Sequence, residues 1–467
     1  MFHRIFASLI VLSLSLASTS FAIAGQTQSV DLLIVGGTIV TMDKDRNVYY
    51  NGGIAIKDGK IVAVGQRGDI TRRFTSTTTV NAAGSAVIPG LINAHTHVPM
   101  SLFRGIADDM DLNDWLTKFI FPAEGQNVNE AFVRVGTRLG IAEMIRGGTT
   151  TYADMYYFED AIADETKKAG MRGVLGQTII DFPVPDAKTP AEGIALAERY
   201  IKKWQGDPLI VPALAPHAPY TVNQQNLQSV KKLADRLNAP MLIHVAETKK
   251  EVDDLKQQRG DTPMAYLDKI GFLGGKVTAA HTVHLSDAEI ALMKAKNVGA
   301  VHCPHSNMKL ASGVARVPEM LIKDLALGLG TDGAASNNDL SMWEEMDAAA
   351  KLHKVMSGDP KAVSAMQALE MATIRGARSL HMQDLIGSLE AGKLADVTIV
   401  GLDSFHQIPM YSIYSHLVYA TKASDVQTVI INGRIVMQDR RLLTLNESAI
   451  KKDANTYHLK IIESLAN

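Results

Sequence analysis

Pro89-Gly90-Leu91-Ile92-Asn93-Ala94-His95-Thr96-His97 is a short apolar run ending in two histidines one residue apart. Two later runs end in similar chemistry: Pro240-Met241-Leu242-Ile243-His244 and Leu327-Gly328-Leu329-Gly330-Thr331-Asp332-Gly333. Apolar runs of this length read as strands buried on both faces. Side chains two apart on a strand share a side, so His95 and His97 point together while Thr96 points away. Buried parallel strands tipped with imidazole or carboxylate are the pattern of a barrel whose chemistry lies at the C-terminal ends of its strands.

The flanking sequence extends this pattern. Between 89 and 388, apolar runs end near His97, Asp154, Asp181, His217, Glu247, His284, Asn307 and Asp332. Amphipathic stretches separate them, among them 132–146, 223–237, 287–296 and 342–353. This alternation predicts an α/β fold, a (β/α)8 TIM barrel over residues 89–388. Residues 25–88 and 389–445 are β-rich instead. Asp58-Gly59 and Asn432-Gly433 each sit between alternating apolar runs, a strong hairpin signal. Neither flank alone makes a good core, so the two ends are expected to build one small β-sandwich domain. Residues 446–467 are expected to form a C-terminal helix that carries no chemistry.

Composition excludes some partners. The chain has 467 residues, 46% hydrophobic, and a net charge of -2, with no basic stripe for nucleic acid. Cys303 is the single cysteine, so no intramolecular disulfide can form. Arg4, the apolar run Ile5 to Ala17 and Ala22-Ile23-Ala24 read as a signal peptide over residues 1–24. The run is too short to span a bilayer, so the expectation is a periplasmic or secreted protein, cut after Ala24 and free of the membrane. A homo-oligomer is the default expectation.

His95, His97, His244 and Asp332 supply three imidazoles and one carboxylate from three strand ends. That set suits Zn2+, with Fe2+ as the alternative, and leaves one position for water. Strand 4, Leu209 to His217, carries no lysine to bridge a second metal as a carbamate, so one metal is expected. Glu247 lies three residues after His244, where a carboxylate can carry a proton from that water to a substrate. His281 ends strand 6 and can polarise the attacking water or stabilise a developing oxyanion. Asp332 can both ligate and accept a proton. His284 reads as a structural residue or a pocket-lining one. Together these point to hydrolysis of a C–N or C–Cl bond at an electron-poor carbon. A cytidine-type zinc site needs paired cysteines, and there is no G-x-S-x-G for serine chemistry.

The motifs from Pro89 to His97, His244-Val245-Ala246-Glu247, Ala280-His281-Thr282-Val283-His284 and Leu329 to Asn338 resemble the amidohydrolase superfamily, specifically its mononuclear aminohydrolases. With Pro216-His217-Ala218-Pro219-Tyr220, they look most like the 5′-methylthioadenosine/S-adenosylhomocysteine deaminases. The resemblance runs from about Asp31 to Leu442. It implies hydrolytic deamination of a 6-aminopurine nucleoside: 5′-methylthioadenosine, S-adenosylhomocysteine or adenosine. By the same resemblance Glu124 binds the ribose hydroxyls, His217 contacts the purine, Trp115 covers the nucleoside, and Glu247 and Asp332 face the reacting ring. One departure is Gly176-Gln177-Thr178, where members favouring S-adenosylhomocysteine can present an arginine to its carboxylate. This favours methylthioadenosine or adenosine. The rival readings are a related enzyme acting on a pterin, guanine or triazine, and a non-catalytic, metal-stabilised binding protein.

Overall fold

The computed structural model describes residues 27–465, so the stretch read as an export signal, 1–24, lies outside the described residues. Eight parallel strands form the central sheet in chain order: β1 (Leu91–Thr96), β2 (Thr149–Tyr156), β3 (Arg172–Ile179), β4 (Ile210–Pro216), β5 (Met241–Val245), β6 (Val277–His281), β7 (Gly299–His302) and β8 (Leu327–Leu329). Helices follow the strands and cover the outside. They start where the side-chain chemistry allows. Asn129 caps the helix Glu130–Arg146, Asn223 caps Gln224–Leu237, and Ser286 with Glu289 forms a capping box for Asp287–Ala295.

One expected strand end moves. The seventh strand stops at His302, and Asn307 lies in a helix, Pro304–Lys309. Pro304 explains this, because its fixed φ suits a first helical turn and it lacks the N–H a strand would need. Ser306 and Asn307 therefore reach the mouth of the barrel from a helix.

The β8–β1 seam is closed largely by side chains. Asn93 Nδ2 donates to Thr331 Oγ1 at 2.7 Å, Asn93 Oδ1 accepts from Thr331 N–H at 3.0 Å, and Asp332 N–H donates to the His95 carbonyl at 3.0 Å. The chains approach so closely here that a Cβ on Gly330 would lie 2.8 Å from His95 N and 2.9 Å from His95 Cβ. These neighbours are backbone and a metal-facing residue, so they cannot move aside freely. Gly330→Ala is expected to cost ~1–3 kcal/mol of stability, the usual range for overpacking, and to lower retained metal. Urea unfolding and elemental analysis read both effects, and an unchanged midpoint would show that the seam tolerates the methyl.

Strands from both ends of the chain share one seven-stranded sheet. Ser85–Pro89 pairs with Val397–Gly401, flanked by 38–40 and 48–49 on one side and by 426–431, 434–438 and 441–442 on the other. A four-stranded sheet (32–35, 52–57, 60–66 and 79–81) packs on it. Leu32, Ile34, Ile54 and Ile56 meet Ile39, Val87, Val397, Ile399 and Ile430 between the two sheets. The hairpin turns use φ values of 50° and 73° at Asp58-Gly59, and 51° and 75° at Asn432-Gly433, as a two-residue type I′ turn requires. Arg172 at the start of β3 and Asp396 form an ion pair between barrel and sandwich, 2.8 Å from Nε to Oδ2, with both side chains buried. The C-terminal helix Glu447–Leu465 buries Ile450 and Ile461. Its Ser464 Oγ accepts from Asn127 Nδ2 at 2.8 Å, bracing the segment 121–127 that walls the barrel mouth.

Candidate metal centre and active site

His95, His97, His244 and Asp332 converge at the C-terminal mouth of the barrel. His97 Nε2 is 3.3 Å from Asp332 Oδ1, His95 Nε2 is 3.5 Å from the same oxygen, and the Nε2 atoms of His97 and His244 are 3.3 Å apart. Hydrogen bonding fixes which ring nitrogens face the centre. His97 Nδ1 is 2.6 Å from the Met155 carbonyl and His244 Nδ1 is 2.8 Å from the His217 carbonyl. A carbonyl oxygen only accepts, so both Nδ1 atoms carry hydrogen and both Nε2 atoms present lone pairs to each other. His95 Nε2 is buried with no hydrogen-bond partner. Buried lone pairs opposed in this way need a cation between them. Neighbouring ligand atoms around a tetrahedral zinc lie about 3.3 Å apart, given bonds of about 2.0 Å. The residues therefore fit a divalent metal.

Electrostatics ask for positive charge at the same point: burial opposes charge on His97, but its hydrogen bond and attraction to Asp332 prevail and raise it to about 9, so that without a bound cation its Nε2 takes a proton. Burial holds His95 neutral down to about 4. Burial pushes Asp332 up, but His95 and His97 outweigh it and hold the carboxylate well below the usual range. Asp332 is fixed by Gly333 N–H at 2.7 Å on Oδ1, and by Ser306 and Ser336 hydroxyls at 2.7 and 3.1 Å on Oδ2. Backbone strain gathers at the same place. Ala246, His281, Thr282 and Asp332 have φ of 53°, 68°, 47° and 64°, each costing ~1–3 kcal/mol that the surrounding packing must hold.

Glu247 and His281 stand beside this centre. Glu247 Oε2 is 3.6 Å from His281 Nε2, which is 4.0 Å from Asp332 Oδ2. His281 Nδ1 faces Asn307 Oδ1 at 3.0 Å, so Nδ1 carries hydrogen and Nε2 offers its lone pair to the site. Burial raises the pKa of Glu247. Its backbone is pinned from behind: Glu251 accepts from Ala246 N–H at 2.8 Å and Glu247 N–H at 2.7 Å. His284 has a structural partner, its Nε2 lying 2.7 Å from the Ser312 carbonyl.

A cavity opens onto the centre. Trp115, Glu124, His217, Glu247, His281 and Asp332 all line it. Trp115 Nε1 is buried without a partner, available to a bound molecule. Burial raises Glu124 to about 7, against the nearby Tyr156 and Tyr157 hydroxyls and His97. Burial, with the neighbouring imidazoles, lowers His217 to about 3, so it is neutral. At the end of β3 the cavity-lining residue is Thr178. Gln177 is buried instead, with Nε2 2.8 Å from Asp186 Oδ2. Among the described residues the lining holds no lysine or arginine.

The sequence reading left out several residues: Ser306, Ser336 and Asn307, which hold Asp332 and His281, Glu251, and the paired tyrosines 156 and 157. Repeated Ser-Asn dipeptides at 306–307 and 336–337 are a signal in the sequence, but their shared target emerges only on folding.

The amidohydrolase family model matches residues 86–436. A 5-methylthioadenosine/S-adenosylhomocysteine deaminase of Syntrophobacter fumaroxidans is 46% identical over 416 residues, covering 89% of this chain and 95% of that protein. A 5′-deoxyadenosine deaminase of Methanosarcina acetivorans is 41% identical over 428 residues, 91% of this chain and 97% of that one. Among solved structures, a zinc-bound adenosine deaminase from Xanthomonas campestris is similar at a TM-score of 0.92 and 41% identity, over 94% of this chain and 100% of its own. With four candidate ligands at the mouth of an eight-stranded barrel, the chain belongs to the amidohydrolase family, where it resembles the 5′-methylthioadenosine/S-adenosylhomocysteine deaminases.

Proposed function

We propose that the protein deaminates 6-aminopurine nucleosides by hydrolysis, releasing ammonia, with a single Zn2+ held by His95, His97, His244 and Asp332. The observation that carries this reading is a second buried carboxylate, Glu124, in the same cavity as the Glu247–His281 pair. One carboxylate serves the reacting ring and the other a polar group at the far end of the ligand, as a nucleoside requires. When bound, the metal supplies a Lewis acid that lowers the pKa of water to ~7.

The chain's own residues do the rest. Glu247 takes a proton from the attacking water and delivers it to ring nitrogen N1, making C6 electrophilic. The Nε2 lone pair of His281 accepts a hydrogen bond from that water and orients it. Asp332 accepts the second proton, which leaves with the amine as ammonia. His217, being neutral, contacts the purine edge without charge, and Trp115 covers the ring while excluding bulk water. Glu124 accepts from the vicinal ribose hydroxyls. A lining without lysine or arginine favours an uncharged 5′-substituent, so methylthioadenosine, 5′-deoxyadenosine and adenosine are expected to exceed S-adenosylhomocysteine in kcat/KM.

The test is ammonia release from a panel of nucleosides, guanine, pterins and triazines. Release from a pterin or triazine but from no nucleoside overturns the substrate assignment, and release from none overturns the enzyme reading. Elemental analysis of the purified protein separates Zn from Fe. Glu124 gives a pH signature. It is raised to about 7, so the carboxylate that accepts two hydroxyls is present above that pH and lost below it. KM for adenosine is expected to rise as pH falls from 8 to 6, and Glu124→Gln should abolish this dependence. A KM that is flat with pH in the native enzyme removes Glu124 from ribose binding. We also propose export to the periplasm, from Arg4, the apolar run and Ala22-Ile23-Ala24. Fractionation with N-terminal sequencing tests it, and a retained Met1 would count against it.

A further inference from the structure

We propose that Ser312 is a positioning residue for Glu247, whose hydroxyl decides which carboxyl oxygen faces the reacting ring. The inference rests on the deaminase reading for its kinetic meaning but on geometry for its substance. Ser312 Oγ lies 3.5 Å from Glu247 Oε1, while the other oxygen, Oε2, is the one 3.6 Å from His281 Nε2. The two carboxyl oxygens therefore have different partners on opposite sides. A hydroxyl donating to Oε1 leaves Oε2 to carry the transferable proton.

The aim of this hydroxyl is fixed by its backbone. Ser312 N–H donates to the Asn307 carbonyl at 2.9 Å, and the Ser312 carbonyl accepts from His284 Nε2 at 2.7 Å. Both anchors belong to the same device. Asn307 holds His281 through its side chain, and His284 follows His281 by three residues in a loop whose Val283 and His284 N–H groups both donate to the Ala246 carbonyl. Gly313 completes the turn at φ 124°, and a Cβ there would lie 3.0 Å from the His284 ring. The loop thus sets Ser312, Glu247 and His281 relative to one another, and it accounts for His284, whose ring meets the Ser312 carbonyl. Ser312 also lines a second groove that Glu247 does not line.

Ser312→Ala and Ser312→Thr, prepared with metal bound, test the assignment. Losing a hydrogen bond to a charged group is expected to lower kcat about ten-fold in Ser312→Ala, with KM within about twofold of native. Ser312→Thr keeps the hydroxyl and should recover most of the rate. A direct readout needs no substrate: in a 13C-carboxyl titration, with the Glu247 signal identified by its loss in Glu247→Gln, Ser312→Ala should titrate at higher pH than native. The other charged groups facing Glu247, namely His281, Asp332, His97 and Glu251, are the same in both proteins. Native kcat and an unmoved titration in Ser312→Ala would overturn the proposal. So would equal losses of Tm or metal in both variants, which would make Ser312 structural. A native enzyme that releases no ammonia from nucleosides while the titration still shifts would refute the deaminase reading and leave the positioning role standing.

Discussion

Glu247→Gln is expected to keep its full complement of metal and to lose at least about two orders of magnitude in kcat, the usual range for a general acid–base group. The two halves of that expectation come from different residues. Metal retention is expected to depend on His95, His97, His244 and Asp332, where Asp332 Oδ1 lies 3.3 Å from His97 and 3.5 Å from His95 and the Nε2 atoms of His97 and His244 are 3.3 Å apart, and not on Glu247. Glutamine is isosteric and keeps the backbone bonds of position 247 to Glu251. It cannot shuttle a proton, because its amide neither gains nor gives one near neutral pH. Elemental analysis beside steady-state kinetics reads both halves. Near-native turnover would remove Glu247 from proton transfer, and lost metal would mean the site is organised differently.

Arg172→Met is expected to be the most costly single change to stability, about 3–5 kcal/mol, because it strands a buried charge. Arg172 makes two bonds to Asp396, 2.8 Å from Nε to Oδ2 and 3.1 Å from Nη2 to Oδ1, and donates to the Pro208 carbonyl at 2.7 Å. Asp396 also accepts from Asn432 N–H at 2.7 Å, so one carboxylate joins barrel strand β3 to the hairpin at Asn432-Gly433. Removing the guanidinium leaves that carboxylate without its cation. Replacing both partners, Arg172→Met with Asp396→Leu, deletes the stranded charge, so the double variant should recover much of the loss. Urea unfolding at fixed metal concentration measures all three proteins. A double variant as unstable as Arg172→Met alone would show that the cost lies in packing rather than in the charge. The pair sits at the N-terminal end of β3, away from the catalytic mouth, so kcat should be unaffected wherever the variants are folded.

The strand ends were legible because they obey local rules. Apolar runs of five to seven residues, an i, i+2 histidine pair and Asn-Gly or Asp-Gly turns have their meaning written within one element. The strand run to Asn307 was misread for a local reason too, since Pro304 converts its second half into a helix. The departure at Gly176-Gln177-Thr178 left open which of the three faces the cavity, and Gln177 turns away from it. Its neighbour Thr178 faces the cavity, because alternation along a strand sends adjacent side chains to opposite sides.

By itself, the sequence determined the barrel, the two-ended β sheets, the four candidate ligands that meet at the barrel mouth, and Glu247 and His281 as their neighbours. Each of these depends on residue type and on spacing along one strand. Only the tertiary structure decided that Asn93 closes the seam with Thr331, that Ser306 and Ser336 converge on Asp332, that Glu251 accepts from the Glu247 N–H while Ser312 lies near its Oε1, and that Arg172 meets Asp396 across 224 residues of chain. These contacts join elements far apart in sequence, and a hydrogen bond leaves no periodic trace in the chain. Their geometry is set by how eight strands close on one another, which no local stretch of residues encodes.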